Sequence, residues 1–389
     1  MDDRTREYLR GRFRDYYRKT SLSPPPDAHL REWGHIPWTP GSGTTMVRHQ
    51  SMYDLGDLDT FFADNAPRHA YFSAARYDDP GASTMSKKGW RSADLVFDLD
   101  ADHLPGVDPA EATYREMLAA CKEALLRLLD FLENDFAFED LSVVFSGGRG
   151  YHVHVRDESV RELGSEARRE VVDYVRAIDL DVDGLIRTVS DRGTTKRVLR
   201  TEGGWGARVH DELVNYADKL REMDEDAARE ELTALDGIGE GRAETILGAF
   251  DRNPTAVREG NVEAGGPGVR RLVSALAARV TATDAAAIDE PVTTDTRRLI
   301  RLPGTLHGGS ALVVTPLDRD RDELADFEPL RDAVPERFVG REIRIETDAD
   351  RTVELNGERV RVESGRNTVP EYAGAFLMAR GEARKAPER

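Results

Sequence analysis

Asp98 and Asp100 close an apolar run, Ala93-Asp94-Leu95-Val96-Phe97-Asp98-Leu99-Asp100. Side chains two apart on a strand face the same way, so these carboxylates can share one or two divalent cations. A second apolar run, Leu141 to Phe145, leads straight into Ser146-Gly147-Gly148-Arg149-Gly150-Tyr151-His152. Its glycines leave backbone N–H groups bare, and Ser146, Arg149 and His152 add side-chain donors suited to phosphate. Carboxylates facing a phosphate cradle are the equipment of metal-assisted phosphoryl or nucleotidyl transfer. Alone, each half has an ordinary explanation. Asp-x-Asp can cap a turn, and glycines supply the positive φ that turns need. A third segment, Ile288-Asp289-Glu290-Pro291-Val292-Thr293 followed by Arg297, Arg298, Arg301 and His307, adds another carboxylate, more cations and a histidine. Three such segments in one chain favour chemistry over accident.

Residues 5–18 space Leu9, Phe13, Tyr16 and Tyr17 as an amphipathic helix, and Ser23-Pro24-Pro25-Pro26 breaks it. Short strands are expected at Thr45–Ser51 and His69–Ala75. Asp108-Pro109 reads as the cap and first residue of a long helix. Its buried face would run from Met117 to Leu132. Tyr151–Val155 alternates, with His152 and His154 on one face. A helix is expected over Glu166–Ile178. Asp295, after Thr293-Thr294, reads as the first-turn acid of a helix running through Arg297, Arg298 and Arg301. Asp289 precedes Pro291, which disfavours helix locally.

From 202 to 283 the chain turns charged and alanine-rich, with almost no strand signal. Within it, residues 235–247 (Leu235-Asp236-Gly237-Ile238-Gly239-Glu240-Gly241-Arg242 and onward) resemble a helix–hairpin–helix. Gly237, Gly239 and Gly241 would then present N–H groups to a DNA phosphate. A plain helix–helix connection accounts for the same glycines, and Glu240 opposes DNA. Strand character returns at Ala311–Thr315, and residues 341–363 suggest a strand pair turned by Asn356-Gly357. The class is α+β: a mixed core over 1–201 and 284–389, interrupted by a helical insert over 202–283.

At 389 residues and 39% hydrophobic content, the chain can bury a substantial core. It has no membrane-length apolar run, and the charged N-terminus shows no signal peptide, so a cytoplasmic protein is expected. Cys121 is the single cysteine, which excludes intramolecular disulfides and a cysteine-based zinc site. The net charge of −18 would repel nucleic acid in dilute buffer. Lysine occurs only at 19, 87, 88, 122, 196, 219 and 385, and the acids are spread throughout. That pattern fits a cytosol at molar salt, where screening reaches within about 3 Å.

These motifs carry a family resemblance that runs nearly end to end. They are Phe13–Tyr17, Arg31-Glu32-Trp33-Gly34, Val47-Arg48-His49, Pro67–Ser73, Asp94–His103, Ser146–His152, Leu299–Gly308 and, more weakly, Pro329–Pro335. The chain resembles the small, catalytic subunit of archaeal DNA primase, in the archaeo-eukaryotic primase superfamily. With the charge pattern, this points to a halophilic archaeon. The resemblance implies template-directed synthesis of short primers on single-stranded DNA from NTPs or dNTPs, beside a large regulatory subunit. It implies Asp98, Asp100 and Asp289 as ligands of two Mg²⁺ or Mn²⁺ ions. Asp289 is preferred to Asp295 because it opens the segment that His307 closes. It also implies Arg149, His152, Arg301 and His307, helped by Ser146 and by Arg48, around the triphosphate. His154 is read as structural. Relatives commonly carry a Cys/His zinc cluster that this chain lacks, so no zinc is expected. A stand-alone primase-like repair polymerase and a non-catalytic DNA-binding protein are the alternatives.

Overall fold

Strands packed on both faces need no polar side, and the central strand here is buried at all six positions. The computed structural model describes residues 1–40, 45–191, 194–264 and 266–387. In chain order the strands used below are β1 (Trp33–Ile36), β2 (Val47–Gln50), β3 (His69–Ser73), β4 (Ala75–Tyr77), β5 (Trp90–Ala93) and β6 (Leu95–Asp100). They continue as β7 (Leu141–Phe145), β8 (Gly150–Val155), β9 (Ile186–Asp191), β10 (Thr194–Leu199), β11 (Leu299–Arg301) and β12 (Thr315–Leu317). The architecture mixes helices with several small antiparallel sheets, as the α+β reading anticipates.

Two compact units divide the chain, one of residues 1–126, 139–172 and 287–389, the other of 127–138 and 173–286. The first holds two four-stranded antiparallel sheets, ordered β11-β3-β1-β2 and β12-β7-β8-β6. β8 lies between β7 and β6, which explains its burial. The one-sided alternation expected for Tyr151–Val155 therefore does not describe it: His154 is buried and stacks on Phe72, with ring centroids 5.9 Å apart.

The start of β6 is anchored from below. Asp94 is fully buried and takes Arg31 at 2.9 Å, Arg76 at 2.8 Å and Arg156 at 3.3 Å. Arg168 donates to the Ala93 and Asp94 carbonyls, each at 2.8 Å. Removing one partner of such a buried pair leaves an uncompensated charge, at a cost of roughly 3–5 kcal/mol. The strand carrying Asp98 and Asp100 is thus pinned at its root.

Helix boundaries follow local capping. The long helix spans Tyr114–Asp130 and not the stretch from Asp108. Thr113 and Glu116 form a reciprocal cap, each backbone N–H donating to the other's side chain at 2.7 and 3.2 Å. Asp108 instead turns the chain by accepting from the Ala110 N–H at 2.9 Å. The helix expected to reach Ile178 ends at Val175, where Ala177 takes a left-handed φ of 53°. The hairpin of Arg351–Leu355 and Glu358–Val362 turns at Asn356-Gly357, both with positive φ.

The second unit joins the β9–β10 hairpin to helices Gly204–Glu222, Glu225–Thr233, Glu240–Arg252, Pro254–Arg258 and Gly266–Asp284. The compositional change at 202 marks where its helices take over, and contacts place residues 173–201 with it. The glycine hairpin links Glu225–Thr233 to Glu240–Arg252, with Gly237 at φ +75° and Gly239 capping the second helix. Among the described residues, no helix is long and apolar enough to cross a membrane.

Candidate active site

Register sets the two acids of β6 against the strand that follows the glycine turn. Asp98 lies opposite His152 in the β6–β8 ladder, and Asp100 lies opposite Gly150. His152 Nε2 stands 3.3 Å from Asp98 Oδ1. Burial raises the pKa of the Asp98 carboxyl, but His152, Arg298 and Arg301 outweigh it and hold the group below its ordinary value. Asp98 is therefore ionised at neutral pH. Asp100 Oδ1 accepts from the Asp102 N–H at 3.2 Å and has Arg149 Nε at 3.9 Å.

β6 is an edge strand, and Asp289 docks on it: its N–H donates to the Asp98 carbonyl at 2.9 Å. Asp289 occupies the cap position of helix Glu290–Thr294, yet its carboxylate makes no capping bond. This corrects the expected course of the segment. No helix runs through Arg301. Pro291 sits in the first turn of the short helix, where its missing N–H costs nothing. Asp295 then turns the chain by accepting from the Arg297 N–H at 2.8 Å, and β11 pairs with β3. Asp295 is thus a turn former and not a helix start, and it lines the same recess as Asp98.

Asp98 and Asp100 thus lie two apart on β6, and Asp289 is tied to the same strand by one backbone bond. Among the described residues, no three His, Cys, Asp or Glu side chains stand gathered as a ready metal cage. Three carboxylates still fit Mg²⁺ or Mn²⁺ as donors: hard oxygen ligands suit these ions, and Mg²⁺ keeps several waters. Cys121 donates to the Arg149 carbonyl at 3.1 Å, and burial pushes its thiol pKa up to about 12, so it stays protonated.

The glycine turn between β7 and β8 is shaped by what packs on it. Gly147 has φ +73°, and a Cβ there would lie 2.7 Å from His307 Cβ. The Gly148 N–H donates to Ser146 Oγ at 3.3 Å, while Tyr114 donates to the Gly148 carbonyl at 2.6 Å. His307 lies on the connection from β11 to β12, so one short segment ties the two sheets together over this turn. The Gly309 N–H and Ser310 Oγ each stand 3.2 Å from His307 Nδ1, which fixes the ring's orientation over the turn. Burial, with Arg301, His69, Arg68 and Arg149 nearby, keeps this ring neutral.

Arg301 Nη1 donates to His69 Nδ1 at 2.7 Å and to Tyr71 Oη at 3.2 Å. His69 also accepts from the Gly308 N–H at 3.3 Å, and its ring meets His307 edge-on at 5.0 Å. Arg149 turns instead toward the acids, with Asp102 as its ion-pair partner. Arg48 lies against the buried Glu32 at 3.2 Å. A recess of about 400 Å³ collects Asp98, His152, Arg48, Tyr71 and Arg301 with Arg297 and Arg298. Gly237, Gly239 and Gly241 belong to the second unit.

Sequence reasoning assigned no role to Arg68, His69 and Tyr71, although all three lie in the Pro67–Ser73 motif. Their signal was there: a histidine two residues before a tyrosine on one strand, facing Arg301.

Comparison with known proteins now decides the family. The profile described as DNA primase small subunit matches residues 97–319, a span holding the acids, the glycine turn and His307. The chain belongs to the DNA primase small subunit family. It is 86% identical over 389 residues to the DNA primase small subunit PriS of Halorubrum lacusprofundi, covering all of both chains. It is 56% identical over 395 residues to that of Haloarcula marismortui, again covering all of both. To the PriS of Methanococcoides burtonii it is 39% identical over 404 residues, at full coverage. The similarity to halophilic archaeal proteins agrees with the charge pattern. A small subunit implies a partner subunit, and a primase implies nucleotidyl transfer in DNA replication.

Proposed function

We propose that this chain is the catalytic subunit of a DNA primase, building short RNA primers, with DNA primers as a second product, on single-stranded DNA in the cytoplasm. The reading includes a heterodimer with a large regulatory subunit. The observation that carries it is the backbone bond of Asp289 to Asp98 on β6, a strand paired with the β8 strand that leaves the glycine turn packed by His307. Asp98, Asp100 and Asp289 would hold Mg²⁺ or Mn²⁺, which supplies charge stabilisation at the attacking hydroxyl and the departing pyrophosphate.

The chain's own groups bind and orient the nucleotide. His307, kept neutral by burial, would donate from Nε2 to a phosphate oxygen without needing to change protonation state. Arg301, fixed by His69 and Tyr71, meets the charge that grows on the leaving group. Arg149 exchanges its exposed Asp102 partner for phosphate, at little cost, since such pairs contribute about 0–1 kcal/mol. His152, 3.3 Å from Asp98, orients its carboxylate, and Ser146 with the glycine N–H groups completes the cradle. Arg48, aligned by Glu32, reaches the same nucleotide from β2.

The test supplies purified protein with single-stranded template, Mg²⁺ or Mn²⁺ and each nucleotide pool in high salt. New primers made without any pre-existing 3′ end are expected. Extension of preformed ends alone would make the chain a repair polymerase, and DNA binding without incorporation would make it a non-catalytic protein.

A further inference from the structure

The recess at Asp98 reverses the charge of its protein. Acidic residues outnumber lysine and arginine 73 to 55, yet this recess has four arginines and two acids, Asp98 and Asp295, in its lining. Two of the arginines are already engaged, Arg301 by His69 and Tyr71, and Arg48 by Glu32. Arg297 and Arg298 are exposed, and among the described residues no ion pair holds either side chain. In a chain with so many spare carboxylates, two unpaired guanidiniums at one rim are a binding feature.

One aromatic side chain borders the same rim, and a second lies close in sequence to the rim's Arg48. Trp90 is 36% exposed and donates from Nε1 to the Thr296 carbonyl at 3.4 Å, which sets the indole beside Arg297. Tyr53 is 94% exposed, on the helix that directly follows β2 and its Arg48. The loop before Trp90 approaches that helix, since a Cβ on Gly81 would lie 3.3 Å from Asp54 Oδ2.

We propose that Arg297, Arg298, Trp90 and Tyr53 form the track that holds the single-stranded DNA template beside the catalytic acids. This rests on the primase reading above. Cations follow the phosphates while aromatic faces stack on bases. Stacking needs unpaired bases, which the template offers ahead of the growing end and a paired primer does not. The combination also suits molar salt. Counterion release contributes little there, so stacking must carry affinity that charge carries elsewhere.

Binding of a fluorescein-labelled single-stranded DNA 12-mer to the full chain, measured by anisotropy across a salt series, tests this, with nucleotide KM measured in parallel. Arg297→Ala/Arg298→Ala is expected to lower the slope of log affinity against log salt by roughly 1.4, about 0.7 for each lost phosphate contact. Trp90→Ala is expected to weaken binding on the order of tenfold with the slope unchanged, and Tyr53→Ala to weaken it less. Trp90→Phe should restore most of the affinity, which separates stacking from a folding defect. Nucleotide KM stays within twofold in the Trp90 and Tyr53 variants, neither of which lines the recess. Unchanged 12-mer affinity, equal affinity for the duplex, or a rise in nucleotide KM in the Trp90 variant matching its loss of DNA binding would overturn the track. If wild-type protein binds the 12-mer as described but makes no primers, the primase reading fails and the track stands.

Discussion

Asp289 and Asp295 bracket one short helix and differ in what their carboxylates already do. Asp295 is occupied by the Arg297 N–H. Asp289 makes no capping bond and is held to β6 through its backbone. Asp289→Asn should therefore leave stability unchanged and cut incorporation by roughly 10²-fold or more, the several kcal/mol that metal-assisted charge stabilisation supplies. Asp295→Asn keeps an oxygen for the Arg297 N–H and should retain most activity, with stability changed by about 0.5 kcal/mol or less. Steady-state incorporation beside thermal unfolding separates the two, and the reverse pattern would move the third ligand to Asp295. At this scale the sequence was largely legible, because Asp98, Asp100, Ser146, Arg149, His152 and His307 sit in motifs with fixed spacing. It did not reveal that His69 and Tyr71 fix Arg301, because that contact joins residues more than two hundred positions apart. Nor did it show Arg149 turned to Asp102, a choice made by local charge.

Elements were legible where one signal stood alone and misread where two competed. Asn356-Gly357 turned the hairpin expected of it, since both residues tolerate positive φ. Asp108-Pro109 lost to the reciprocal cap at Thr113 and Glu116, which satisfies two donors at once. The Leu299–Arg301 strand was hidden because three residues are too few to show a period. Glycines in these elements give two tests with opposite expectations. A Cβ on Gly150 would lie 1.7 Å from the Leu99 carbonyl oxygen, inside the β6–β8 ladder. Gly150→Ala should cost about 3 kcal/mol or more, seen as a fall in unfolding midpoint, because neither strand can retreat. A midpoint within a degree of wild type would show the two strands farther apart than described. Gly239 has open space around it and an ordinary negative φ. Gly239→Val should fold normally, and if the hairpin touches DNA phosphate it should weaken duplex binding while sparing single-nucleotide transfer. Unchanged DNA affinity would make the hairpin a connector only.

On the scale of the whole molecule, the net charge of −18 directs attention to surface acids, but the buried histidines set the pH response. His69, His154 and His307 are all kept neutral by burial, with neighbouring arginines adding to the effect. The pKa of His69 is pressed down to about 2. In the unfolded chain each would take a proton near pH 6.5. The unfolded state therefore binds more protons than the folded state as pH falls below about 6.5, and stability falls with it. Each histidine contributes a slope of about 1.4 kcal/mol per pH unit once the unfolded form is fully protonated, so three together approach roughly 4. Asp98, with its pKa lowered, adds to the loss only below the ordinary carboxylate range near 4, so the histidines dominate between about pH 6 and 4. Molar salt screens exposed pairs far more than buried or partly buried groups, so this slope should survive where surface effects vanish. The measurement is urea unfolding at constant molar KCl from pH 7.5 to 4.5. Stability should hold above pH 7 and drop steeply below 6. His154→Phe, at a buried position stacked on Phe72 and outside the recess, should remove about a third of the slope. A flat profile down to pH 5, or a variant with the wild-type slope, would mean these rings take up protons in the folded protein.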